Sequence, residues 1–216
     1  MPTRFLDLGL PGQLQLRLSI TNETSHRSPY MTLSHYWSQL QIKRLETTNL
    51  YALREGIEPE ELPKTSQDAI RFTRASGIRY LWIDSLCIIQ DSITDWQRES
   101  VVMGYVYKNA VCNIAATAAP DGRFGCFFER DPSLILPCRV QSKSFPNQGS
   151  DSELFELVPN AIWAHNVDDA PLNSRSWVMQ ERFLSPRIIH CGKNQLFWEC
   201  RELVSMTFAA LYFKRK

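Results

Sequence analysis

The sequence is short of several things, and each shortage removes a class of function. It has no charge bias: 24 Lys and Arg stand against 23 Asp and Glu, a formal net charge of +1. Bulk electrostatics therefore give no reason to expect nucleic-acid binding. Histidines number four and cysteines six, at Cys87, Cys112, Cys126, Cys138, Cys191 and Cys200. No two of these form a C-x-x-C pair, and no Cys/His cluster has zinc spacing, so no metal site is expected. Most of the cysteines sit in apolar runs, where a thiol behaves as a small hydrophobe. There is no G-x-x-x-x-G-K-[ST], which excludes nucleotide binding by a P-loop. No Ser–His–Asp order carries nucleophile-elbow spacing. The opening MPTRFLDLGL lacks the apolar core of a signal peptide. The apolar run Met206–Phe213 is too short to span a bilayer. These absences point to a soluble protein of a reducing compartment, with a cytoplasmic location as the expectation.

What is present centres on Tyr80–Ala110. An apolar, β-rich run, Ile78–Ile83, reads as a strand buried on both faces. Gly77 and Asp84 bracket it. A loop follows with Cys87, Gln90 and Asp91. Thr94 then opens a helix, and Gln97 three residues on completes a capping-box pattern. Trp96, Ser100, Met103, Tyr107 and Ala110 recur at helical spacing and predict its core face. Val111–Thr117 is strand-like again. Strand, loop, helix and strand make a βαβ unit, with the two strands adjacent or near-adjacent and parallel.

Around this unit, Leu14, Leu16, Leu18 and Ile20 alternate like a half-buried strand. Tyr30–Ser34 is a short strand leading into His35, Tyr36 and Trp37. Thr65 can cap a helix over 66–76 that ends at Gly77. Ala119–Pro132 reads as a loop. Leu134–Val140 and Leu154–Val158 read as pairing strands, with the polar stretch Gln141–Ser152 between them as a mobile insertion. Asn173 or Ser174 can cap a helix that runs to about Leu184 and stops before Pro186. Arg187–Cys191 and Gln195–Cys200 read as a hairpin. Strands and helices alternate in the first half, and the second half is β-rich, so the fold class is α/β with β-rich additions.

Three blocks carry a resemblance. LWIDSLCIIQD, then DW, then M-x-x-x-Y-x-x-A resembles the centre of the fungal heterokaryon-incompatibility (HET) domain. YMTLSHYWS (Tyr30–Ser38) is similar to that family's opening block, and LNSRSWVMQERFLSPRIIHC (Leu172–Cys191) to its closing block. The blocks keep the family's order and span Tyr30 to about Trp198. The resemblance implies a TIR-like parallel sheet flanked by helices. It divides the chain into an N-terminal strand and loop (1–29), a HET domain (30–200) and a short tail (201–216). HET-family proteins usually continue past the closing block, so the chain reads as a short or truncated member. The family pattern has Gly after the opening tryptophan; Ser38 stands here and is expected to narrow any site at that place.

Candidate chemistry gathers at the ends of these elements. Ligands of open α/β sheets collect at strand carboxyl ends, which makes Asp84 a candidate acid, base or ribose ligand, or else a cap for the loop after it. Cys87 is a candidate nucleophile if a base such as His35 lies near, and a buried structural thiol otherwise. Gln90 and Asp91 share its loop. Ser34, His35 and Trp37 can touch a ligand, the tryptophan by stacking. Arg175, Trp177, Gln180, Glu181 and Arg182 form the densest polar and aromatic set, read either as a ligand site or as an ion-pair and hydrogen-bond network that locks the last helix down. TIR-like enzymes that cleave NAD use a glutamate, and by that analogy Glu181 or Glu99 is a catalytic candidate, with NAD as a candidate substrate. The expectation drawn from the residues is that Arg175 and Glu181 face a cleft beside Asp84.

As a HET-domain protein, the chain is expected to be an effector of fungal nonself recognition and programmed cell death. Self-association or other HET-domain proteins would be its partners. The alternative is a small-molecule enzyme on the same scaffold, either a TIR-like NAD glycohydrolase or an accessory enzyme of fungal secondary metabolism.

Overall fold

The computed structural model describes residues 2–10, 12, 15–21, 28–37, 41–130, 138–142, 153–157, 162–206 and 213–214. Ser38, Leu14, most of the Gln141–Ser152 insertion and most of the Met206–Phe213 run lie outside them.

The architecture is α/β around a mixed sheet. Its strands are β1 (Arg4–Asp7), β2 (Arg17–Ile20), β3 (Tyr30–Ser34), β4 (Tyr80–Ile83), β5 (Cys112–Ala115), β8 (Arg187–Cys191), β9 (Leu196–Cys200), β10 (Leu203–Met206) and β11 (Phe213–Lys214). They lie in the order β11-β10-β9-β8-β5-β3-β4-β1-β2. The centre, β8-β5-β3-β4, is parallel. Antiparallel strands flank it on both sides. A separate hairpin pairs β6 (Cys138–Ser142) with β7 (Glu153–Leu157), as the sequence pattern expects.

The central strands are short and buried at every position of β3, β4 and β5. Runs of this kind suit a parallel sheet covered on both faces. β4 and β5 are parallel, with β3 inserted between them. The chain goes from β3 to β4 on one side and then crosses to β5 on the other. This reversal around β3 makes a switch point, where strand carboxyl ends diverge and leave a crevice.

Among the described residues five α-helices complete the layers: α1 (Leu50–Glu55), α2 (Lys64–Ala75), the single turn α3 (Asp84–Cys87), α4 (Ile93–Asn109) and α5 (Ser176–Leu184). None among the described residues is long and apolar enough to cross a membrane. α2 ends at Gly77 with φ +72°, the left-handed conformation the sequence calls for. Its start differs from expectation. Pro63 stands at the N-cap without a side-chain cap, and Thr65 is buried, donating to the Gly122 carbonyl. α4 begins one residue before Thr94, because Ser92 supplies the cap and accepts from Asp95 N at 3.3 Å. α5 likewise starts later than Asn173 or Ser174 suggests. Those residues fall in a 3-10 turn, Pro171–Ser174, and Arg175 holds the N-cap position.

α4 packs through Met103, Val106 and Tyr107. The Tyr107 ring meets Trp82 edge-on at 5.6 Å, and the Tyr30 hydroxyl donates to the Val106 carbonyl at 2.7 Å. α4 and α5 lie against each other at Gly104. A Cβ there would stand 3.1 Å from Leu184 Cδ1, so the small residue permits the close approach. Trp96 departs from the expected core face. It is 47 % exposed, because the first turn of α4 overhangs the crevice rather than the sheet.

Candidate functional site

The carboxyl ends of the central strands open into a cleft of about 110 Å3, lined by Trp37, Asp84, Ile88, Gln90, Trp96, Ser100, Met103, Arg175, Trp177 and Glu181. β3 delivers Trp37, β4 delivers Asp84, and the loop to α4 delivers Ile88 and Gln90. α4 adds Trp96, Ser100 and Met103. α5 brings Arg175 from its N-cap, Trp177 from its first turn and Glu181 from its second.

Asp84 holds the middle. Its Oδ1 accepts from the Ser85 amide at 2.8 Å and from Trp37 Nε1 at 3.3 Å. Arg175 Nη2 lies 3.6 Å from Oδ2. Arg175 also donates to the His35 carbonyl, and its guanidinium sits 5.9 Å from the centre of the Trp37 ring. The carboxylate therefore does both things that the sequence left open. It caps the turn after β4 and faces the cleft.

Glu181 forms part of the floor and is only 2 % exposed. Burial and the nearby Asp84 charge push its carboxyl up to about 7, against the opposing pull of Ser34, Arg175 and Tyr107. Ser34 and Tyr107 stand close enough to favour its charged form, yet neither meets its Oε2 in hydrogen-bond geometry, and the buried Tyr107 hydroxyl has no partner in such geometry either. Tyr107 stands behind the floor rather than in the cleft lining. Burial raises its phenol well above the usual range. The cleft thus sets Asp84, held by Ser85 N, Trp37 and Arg175, beside a carboxyl that burial favours as the neutral acid. A carboxyl kept neutral in this way suits general-acid chemistry.

The remaining candidates divide. Gln90 lines the cleft and donates to the Asp84 and Ile88 carbonyls, which fixes the loop. Ser34 and His35 are buried beneath the cleft. Ser34 joins Asn113 and Thr32 in a polar ladder across β3 and β5. His35 Nδ1 is 3.8 Å from Asp84 Oδ1, and burial pulls its pKa down to about 4, so the ring is neutral. Cys87 is fully buried and pushed up to about 12, which removes it as a thiolate nucleophile. Asp91 turns away to the surface and accepts from Thr47 N and Oγ1. Glu99 points to Thr3 and Arg98, outside the cleft lining. Gln180 is exposed and leans on α4 at Gly104. Helical geometry separates these last two from the site: Glu99 is three residues from Trp96, yet Ser100 and Met103 are the positions that share the cleft side.

The network that locks α5 down, the other reading of this block, runs through Arg182 to partners that the sequence pattern did not single out. Arg182 donates to Glu199 Oε2 at 2.8 Å and to Asp168 at 2.9 Å, and packs on Trp163. His190 Nε2 lies 2.9 Å from the same Glu199 oxygen, and its Nδ1 is 3.2 Å from Thr117 Oγ1. Burial alone would raise Glu199, but hydrogen bonds from His190 and Arg182 bring it down to about 2. The Glu199 carboxylate therefore anchors the helix that presents Glu181 and Trp177.

The family model for the heterokaryon incompatibility protein (HET) matches residues 30–181. The chain belongs to the HET family. The match begins at β3 and ends at Glu181, so every residue that lines the cleft falls inside it. No curated protein matches the chain, and no solved structure does. The HET assignment thus rests on the family model, and the cleft on the geometry of the chain itself.

Proposed function

We propose that this HET-family protein is an effector of nonself recognition that leads to programmed cell death, built on a TIR-like core, and that the Asp84–Arg175–Glu181 cleft carries its output as chemistry. The convergence of those three side chains, drawn from two distant parts of the chain into one concave site, is the observation that supports this reading. Glu181 serves as general acid. Asp84, held by Arg175 and Trp37, serves as the partner that stabilises positive charge or accepts a proton. Self-association is the proposed trigger, and a small molecule is the proposed substrate, with NAD the first candidate and a secondary-metabolite precursor the second.

The test is Glu181→Gln, which keeps the shape of the side chain and removes its titration. The mutant is expected to fold, with a melting temperature at or above that of wild type at neutral pH, to lose cell killing on expression, and to lose NAD turnover if NAD is the substrate. A folded mutant that kills as well as wild type would show that the cleft does not carry the output.

A further inference from the structure

The walls and the floor of the cleft differ in kind. Three tryptophans line it, Trp37, Trp96 and Trp177. Trp96 and Trp177 are 47 % and 48 % exposed, and they come from different helices, α4 and α5. Large indoles left half in water on two walls of one cleft offer flat apolar surface to a ligand. The floor offers polarity with little net charge. The Asp84 carboxylate and the Arg175 guanidinium offset each other at 3.6 Å. What remains is Glu181, almost wholly buried, with Oε2 unpartnered. A buried polar atom without a partner costs free energy that a suitable ligand group can return.

We propose that the cleft takes an uncharged planar ring compound bearing a carbonyl oxygen, with the ring against Trp96 and Trp177 and the oxygen accepting a hydrogen bond from the Glu181 carboxylic acid. This rests on the reading of the cleft as a small-molecule site and adds the ligand class to it. A neutral carboxylic acid in an apolar setting is a good donor to such an oxygen. A carboxylate is not, since it has no proton to give. The groups that face Glu181 are Asp84 after β4, Arg175 before α5, Tyr107 on α4 and Ser34 on β3, and burial with Asp84 keeps the acid form present up to about pH 7. An anionic ligand would have to sit beside Asp84, and a ligand without an acceptor would leave the Glu181 proton unused.

The proposal is tested by equilibrium dialysis of the whole chain with three probes that share a two-ring frame: coumarin, which carries a carbonyl, naphthalene, which does not, and 2-naphthoate, which is anionic. Coumarin is expected to bind about fivefold to tenfold more tightly than naphthalene at pH 5.5, the worth of one buried hydrogen bond. That preference should fall to within about twofold at pH 8.5, where Glu181 has lost its proton. Glu181→Gln, whose amide donates at any pH, should keep the preference at both values. Trp96→Ala and Trp177→Ala should weaken coumarin and naphthalene alike. Equal binding of coumarin and naphthalene at pH 5.5 would overturn the proposal. So would a wild-type preference that does not change with pH, or tighter binding of 2-naphthoate than of coumarin. Because the readout is binding, its failure is separate from failure of the cell-killing test.

Discussion

Arg175 and Asp84 meet at 3.6 Å across the cleft, one from the start of α5 and the other from the end of β4. Both are less than one-fifth exposed. The contact ties the closing block of the chain to its centre, and Arg175 strengthens the tie by also bonding the His35 carbonyl after β3. One side chain therefore joins three segments of the crevice.

Arg175→Ala should cost about 2 kcal/mol of stability, since it leaves a partly buried carboxylate and a carbonyl without their donor. Arg175→Lys should recover only part of that, because an ammonium cannot address the His35 carbonyl and Asp84 with one rigid fork. Urea unfolding of the three proteins measures both differences. Equal stability of all three would mean that the Asp84–Arg175 contact holds nothing in place.

Residue patterns expose some of this arrangement and hide the rest. The βαβ unit is readable because the runs before Asp84 and after Ala110 are short, apolar and β-rich, and one amphipathic helix lies between them. The cleft position is readable because Asp84 ends a buried strand. Neither the insertion of β3 between β4 and β5 nor the entry of β1 beside β4 has a local signal, since both depend on pairing across the chain. Trp96 shows the limit of periodicity. It lies on the same helical side as Met103, yet that side meets the sheet only in its later turns and overhangs the crevice in its first. The Thr94 cap fails for a related reason. Ser92 offers the same hydroxyl two residues earlier, and Asp95 is already engaged elsewhere.

That engagement is with Arg4. The two form a buried fork at 2.7 and 3.0 Å, and Asp95 also accepts from the Ile89 amide at 2.8 Å. Arg4 in turn donates to the Cys87 carbonyl at 3.0 Å. The N-terminal strand thereby clamps the loop that carries Ile88 and Gln90 into the cleft. Burial works against the Asp95 carboxylate, and the Arg4 hydrogen bonds overcome it and lower its pKa. Arg98 also reaches Asp95 but is more than half exposed, so breaking the buried pair leaves the carboxylate only a solvent-facing cation. Arg4→Met should destabilise the fold by roughly 3–5 kcal/mol, and the double change Arg4→Met with Asp95→Leu should recover part of the loss. Denaturant midpoints of the single and double mutants decide it. A single mutant as stable as wild type would show that the clamp contributes nothing.

Glu181 makes stability depend on pH in a direction opposite to that of an ordinary ion-paired carboxylate. Its folded pKa stands near 7, against an ordinary value of 4.5. Below about pH 4.5 the group is protonated in both folded and unfolded chains, so it imposes no penalty. Between 4.5 and 7 the folded chain keeps the proton that the unfolded chain releases, and stability falls as pH rises. Above 7 the penalty is complete, roughly 3 kcal/mol for a shift of this size. Glu199 acts the other way and over a lower range. Its pKa near 2 contributes stability that is present above 4.5 and lost as pH falls toward 2. The two effects therefore do not mask each other between pH 5 and 8. Glu181→Gln should remove the decline across that window while leaving the acid limb intact, which urea unfolding at a series of pH values reads directly. A wild-type protein whose stability stays flat or rises from pH 5 to 8 relative to Glu181→Gln would show that the carboxyl is ionised in the folded chain, and that Glu181 cannot act as the acid at neutral pH.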